Sequence, residues 1–88
     1  MKKTHEIKLN IEYADAVLCG DKNFEVRLND RGYQKGDRVI FNVISGIIEK
    51  NHPLNDITFE ITYVLGSFKG LADGWVAFGI KPVEGNNE

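Results

Sequence analysis

Between residues 20 and 38 the chain reads GDKNFEVRLNDRGYQKGDR, a stretch that gathers four carboxylates, five basic side chains and three glycines. Lys22, Glu25 and Arg27 are its members whose spacing could do chemistry. Residues 23–28 alternate, with Phe24, Val26 and Leu28 on one side and Asn23, Glu25 and Arg27 on the other, which is the period of a strand with one buried face. Phe24, Val26 and Leu28 are therefore predicted to point into the core, and Glu25 and Arg27 outward or into a cleft. Lys22 follows Gly20 on a turn from which its amine can bend to either side. A compact cation, a carboxylate acceptor and a fork-shaped guanidinium within six residues suit hydrogen bonding to a base or a phosphate. The same side chains also suit an ordinary surface ion pair, worth about 0–1 kcal/mol, and spacing alone leaves both readings open.

The elements that must position these residues follow from periodicity. Residues 5–9 alternate around Ile7 and Leu9 as a short strand, and Asn10 is placed to cap a helix over 11–19 with Tyr13, Ala14, Val17 and Leu18 on its apolar stripe. Gly20 then stands where a left-handed helix terminus needs a residue without a Cβ. After the strand at 23–28, the turn formers of 29–37 lead into the apolar run VIFNVI, a third strand. Residues 45–56 read as a long hairpin loop or ragged strand end. A fourth strand at 57–65 alternates Ile57, Phe59, Ile61, Tyr63 and Leu65 against Thr58, Glu60, Thr62 and Val64. WVAFGIKPV is the fifth, with Pro82 near its end. Five strands and one helix cannot make a doubly wound sheet, so the expected class is mainly β (α+β), a small, mostly antiparallel barrel or strongly curved sheet with the helix at one end.

Composition narrows the function classes. The 88 residues fit a single domain, expected over 1–83 with 84–88 as a flexible tail. One cysteine excludes an internal disulfide and favours a reducing compartment, so a cytoplasmic location is expected. No apolar run follows the N-terminal lysines as a secretory signal requires, and no segment has membrane-spanning length. A net charge of −2 argues against gripping duplex nucleic acid by bulk electrostatics. The two histidines, 47 positions apart, lack ligands at zinc spacing, so no metal is expected. Gly66, Gly70 and Gly74 are not followed by Lys-Ser/Thr, so they form no phosphate-binding loop, and no cofactor is expected.

The order Gly20, Lys22, Glu25, Arg27, the pattern G-x-K-x-x-E-x-R after an amphipathic helix, resembles the hallmark of ASCH domains in the PUA-like superfamily. Asn29-Asp30-Arg31, Tyr33 and Gly36-Asp37, with THEIKL before and GWVAFGI after, resemble the DUF3850 proteins in particular, over residues 4 to 81. The resemblance implies a PUA-like β-barrel and a cleft that binds RNA or modified nucleosides, faced by Lys22, Glu25 and Arg27. It also implies an alternative activity, since one ASCH branch hydrolyses acetylated cytidine with the motif lysine, a threonine and a distant glutamate. Here Glu25 stands at the threonine's position, Lys22 is the candidate catalytic group, and Glu60 or Asp73 the candidate second acid. A further alternative is a domain that binds protein through its charged strand face; the chain is expected to be a monomer.

Other residues divide between binding and packing. Tyr33, between Arg31 and Lys35 in a polar turn, is the candidate for stacking on a base, and Trp75 is assigned to the core with base stacking as its alternative. Arg31 extends the candidate ligand-binding set. Arg31, Lys35 and Arg38 could extend a phosphate-contacting rim, but they alternate with Asp30 and Asp37, which favours a solvated mixed-charge face. Cys19, with no histidine near it in sequence, is read as a small buried hydrophobe.

Overall fold

The structure, a computed structural model, describes residues 2–83; the expected C-terminal tail lies outside them. Five strands form one sheet: β1 (Thr4–Asn10), β2 (Phe24–Leu28), β3 (Arg38–Ile44), β4 (Thr58–Gly66) and β5 (Trp75–Pro82). Their order is β1-β3-β4-β5-β2, with β1 parallel to β3 and every other pair antiparallel. The sheet curls into a half-barrel, so the first and second strands of the sequence are its two free edges.

Helix α1 (Ile11–Leu18) continues directly from β1. Asn10 occupies the position before its first turn but makes no side-chain cap; the acid Glu12 in that turn complements the helix dipole instead. Only Ala14 and Val17 of the expected stripe are buried, while Tyr13 and Leu18 are exposed, because two turns of helix present little more than one contact line to the sheet. Gly20 closes the helix at φ +89°. Cys19, expected inside, is exposed at the helix end: it lies one position past the stripe, with its backbone amide bonded to Asp15 O and its thiol to Ala16 O.

Alternation governs the core. Val39, Phe41 and Val43 of β3 and Ile7 and Leu9 of β1 meet Phe59 and Ile61 of β4 and Val76, Phe78 and Ile80 of β5 in one cluster. A register shift between Ile61 and Tyr63 interrupts the expected pattern on β4. Beyond it, Val64 packs on the core and Tyr63 turns outward, since one extra residue inverts every later side chain. The β3–β4 connection carries a 3₁₀ turn (Pro53–Asp56) whose buried Leu54 packs beneath α1.

The turn between β2 and β3 is built on a buried carboxylate. Asp37 accepts from the ring of His5 at 2.8 Å, the amide of Lys3 at 3.1 Å and the amide of Gln34 at 3.1 Å. Asp37 is therefore no member of a solvated charged face, contrary to its sequence context. Burial alone would push its carboxyl up, but these three hydrogen bonds outweigh that and hold it below the ordinary value of 3.8. The neighbouring backbone is pinned to β4 by Gly36 N to Ile61 O and Ile61 N to Asp37 O, both 2.8 Å.

Candidate ligand-binding cleft

β2 pairs only with β5, and that register decides which way its side chains face. Glu25 lies opposite Phe78 and Arg27 opposite Val76, both core-facing residues of β5. Glu25 is accordingly buried at 4% exposure, while Phe24, Val26 and Leu28, expected in the core, stand 46–48% exposed on the outer face beside Gly79, Ala77 and Trp75. The space that apolar β2 residues would fill is taken by Tyr33. Its ring lies 4.7 Å from Phe78 and 4.8 Å from His5, centroid to centroid, leaving the polar face of β2 to border the opening of the half-barrel.

Around Glu25 the three motif side chains form one network. The Lys22 amine donates to Glu25 Oε2 and, at 2.9 Å, to the carbonyl of Phe24. Arg27 Nε donates to Glu25 Oε1 at 3.0 Å, and its Nη2 reaches across to the carbonyl of Lys8 on β1. Both carboxylate oxygens are thus engaged, so Glu25 orients the two cations rather than presenting a free acceptor. The Lys22 amine also sits 5.1 Å from the Phe24 ring centre and 5.8 Å from that of Tyr13. Arg27 keeps three N–H donors uncommitted in this network, both on Nη1 and one on Nη2.

The Arg27 to Lys8 contact bridges a cleft of about 660 Å³ between the free edges of the sheet. Residues 6–10 of β1 and 25–28 of β2 line it consecutively. Consecutive lining marks walls made of strand edges, because a strand's face would contribute only alternate residues. Tyr13 lies where β1 ends, and Trp75 beside the far end of β2; since β1 and β2 run oppositely through this sheet, the two rings stand toward opposite ends of the cleft. Three acids, Glu6, Glu25 and Asp30, balance three bases, Lys8, Arg27 and Arg31, along the lining.

Residues 4–80 match a domain of unknown function, DUF3850. The chain belongs to the DUF3850 family. A related sequence, the "Uncharacterized 12.9 kDa protein in GpA 3'region" of Escherichia phage P2, is 48% identical over 42 residues, which are 48% of this chain and 38% of that protein. Thus the match spans well under two thirds of that relative's length. Among solved structures, the crystal structure of hypothetical protein PH0355 superposes with a TM-score of 0.60 at 22% identity, covering 92% of this chain and 99% of that one. At that identity the likeness extends to the fold.

Within this DUF3850 domain, the residues singled out from sequence separate. Glu25, Arg27 and Arg31 line the cleft directly. Lys22 acts from behind through Glu25 and instead lines a smaller depression with Cys19, Asn23 and Pro82. Tyr33 also touches the cleft, but at 4% exposure and packed between His5 and Phe78 its ring is not free to stack. Burial pushes its phenol above the usual value, against the opposing pull of Arg27 and Arg31. The exposed rings that line the cleft are Tyr13 at 43% and Trp75 at 40%, the latter contrary to its assignment to the core. Trp75 is the first residue of β5 and falls in the outward row with Leu28. Glu60 and Asp73 do not line the cleft; Glu60 lies in register with Arg38 and Lys81. The β1 wall was missed from sequence, since no local signal says that residues 6–10 will face β2. Among the described residues, no group of three or more His, Cys, Asp or Glu could hold a metal, and no helix is long and apolar enough to cross a membrane.

Proposed function

We propose that the cleft is a binding site for a nucleoside or a short single-stranded stretch of RNA. The observation that carries this reading is Arg27: clamped by Glu25 and spanning the gap to β1, it keeps N–H donors uncommitted in a cleft flanked by two exposed aromatic rings. Preoriented donors read the edge or phosphate of a nucleotide, and exposed rings hold its face. A volume of about 660 Å³ falls in the range of small-molecule sites. The balanced lining charge favours a ligand with few phosphates over bulk RNA. The resemblance of the G-x-K-x-x-E-x-R pattern to ASCH domains supports the same ligand class.

The hydrolytic alternative draws less support. A nucleophilic or basic lysine needs a free amine, and that of Lys22 is engaged by Glu25 and the Phe24 carbonyl. The test is a backbone amide NMR titration with cytidine, N4-acetylcytidine and short single-stranded RNAs. Shifts concentrated at Lys8, Tyr13, Glu25 to Arg31 and Trp75, and abolished in Arg27→Ala, are expected. An unperturbed spectrum at millimolar ligand would overturn the reading, and loss of the acetyl signal with time would establish hydrolysis.

A further inference from the structure

Trp75 borders two depressions. Besides the cleft between β1 and β2, it lines a second hollow of about 650 Å³, formed by the β4–β5 connection and the end of β2. That hollow is lined by Asn29, Phe68, Lys69 and Asp73 as well as Trp75. The turn after β2 divides in the same way, with Asn29 on the second hollow and Asp30 and Arg31 on the cleft. The division is held by main chain: Asn29 N donates to Gly74 O at 2.8 Å, and Trp75 N to Ala72 O at 3.0 Å. The indole therefore stands on a braced ridge between two spaces of nearly equal size.

The far hollow has its own recognition groups. Phe68 is 56% exposed at its rim, and Lys69 beside it is exposed and forms no ion pair among the described residues. Ser67, which opens this connection, holds φ +52°, a left-handed conformation unusual for serine. A second exposed ring and a free cation one residue apart are what the neighbour of a stacked base would meet, one for its face and one for its phosphate.

We infer that the ligand is a single-stranded oligonucleotide of at least two nucleotides, with one base in the β1–β2 cleft and its neighbour in the hollow beyond Trp75. The chain crosses the indole, and Lys69 meets the phosphate beyond it. This rests on the nucleotide-binding reading of the cleft, and it assigns to the loop at 67–74 the choice between a strand and a lone nucleoside.

Trp75 is the single tryptophan of the chain, so its fluorescence reports occupancy of either side. The experiment compares cytidine monophosphate with single-stranded RNA tetranucleotides by fluorescence titration and calorimetry, in the native chain and in Phe68→Ala, Lys69→Gln and Trp75→Ala. The tetranucleotide is expected to bind at least about tenfold more tightly than the mononucleotide. Trp75→Ala weakens it roughly 5- to 150-fold, as loss of one stacking platform does. Phe68→Ala and Lys69→Gln, both in an exposed loop where folding is not at stake, weaken the tetranucleotide while shifting the mononucleotide less than twofold. With Arg31 and Lys69 as the phosphate contacts, log affinity falls with log salt at a slope of about 1.4. Equal affinity for the two ligands, or insensitivity of the tetranucleotide to both loop variants, overturns the inference while leaving the cleft reading intact. Binding of neither ligand removes both.

Discussion

Two buried carboxylates, Glu25 and Asp37, sit at similar depth, 4% and 3% exposed, yet their partners differ in kind. Asp37 is held by one ring nitrogen and two main-chain amides, groups that the fold itself fixes. Glu25 is held by the tips of two long cationic side chains, each still a fifth to a quarter exposed. A carboxylate satisfied by backbone locks a turn, because the fold holds its donors in place. One satisfied by lysine and arginine orients those cations, of which Arg27 lines the cleft, and they can rehydrate if it is removed. The same burial thus fixes a turn in one place and, on the proposed reading of the cleft, serves recognition in the other.

Of the two carboxylates, Asp37 should show the larger effect on stability. Asp37→Ala leaves the buried His5 ring and two part-buried amides without their acceptor and should cost about 3 kcal/mol in urea unfolding. A loss below about 1 kcal/mol would show that the turn does not depend on it. The pH dependence sharpens the point. Because the folded carboxyl lies below its ordinary value of 3.8, its contribution is fully present above that value and is lost as pH falls through the depressed folded one. The stability gap between the native chain and Asp37→Asn should therefore narrow below about pH 4 and close in stronger acid. A gap that widens on acidification contradicts the assignment.

Glu25→Ala should cost less, about 1–2 kcal/mol, since Lys22 and Arg27 can turn to water. Its main effect should fall on ligand titrations, where Arg27 has lost its clamp; unaltered binding would separate Glu25 from the site. The smallest effect belongs to Val26→Thr. On the outer face it should change stability by no more than about 0.5 kcal/mol, whereas a core position would lose more than about 1. A large loss would restore the inward orientation that alternation suggested.

That last case marks how far the sequence could be read. Alternation over 23–28 correctly groups Phe24 with Val26 and Leu28, and Glu25 with Arg27, because the side-chain period of a strand is a local property. It cannot say which group faces inward. Hydrophobicity points the apolar row to the core, but Tyr33, nine residues after Phe24, comes back over Phe78 and fills that space first. The same limit explains Tyr63 and Val64, inverted by a bulge that no residue type announces. Trp75 is exposed because it begins β5 in the outward row, and Cys19 because it follows the last residue of α1.

What the sequence determined by itself was the five strands, the helix and the clustering of Lys22, Glu25 and Arg27, which depend on patterns within about ten residues, together with the DUF3850 resemblance, which adds up several such stretches along the chain. Tertiary structure alone decided that β1 and β2 become the two edges of one sheet, that Arg27 reaches Lys8 nineteen residues away, and that His5 meets Asp37 across thirty-two. Those outcomes depend on strand order and curvature. Both arise from the joint packing of all five strands, and no short window of residue types encodes them.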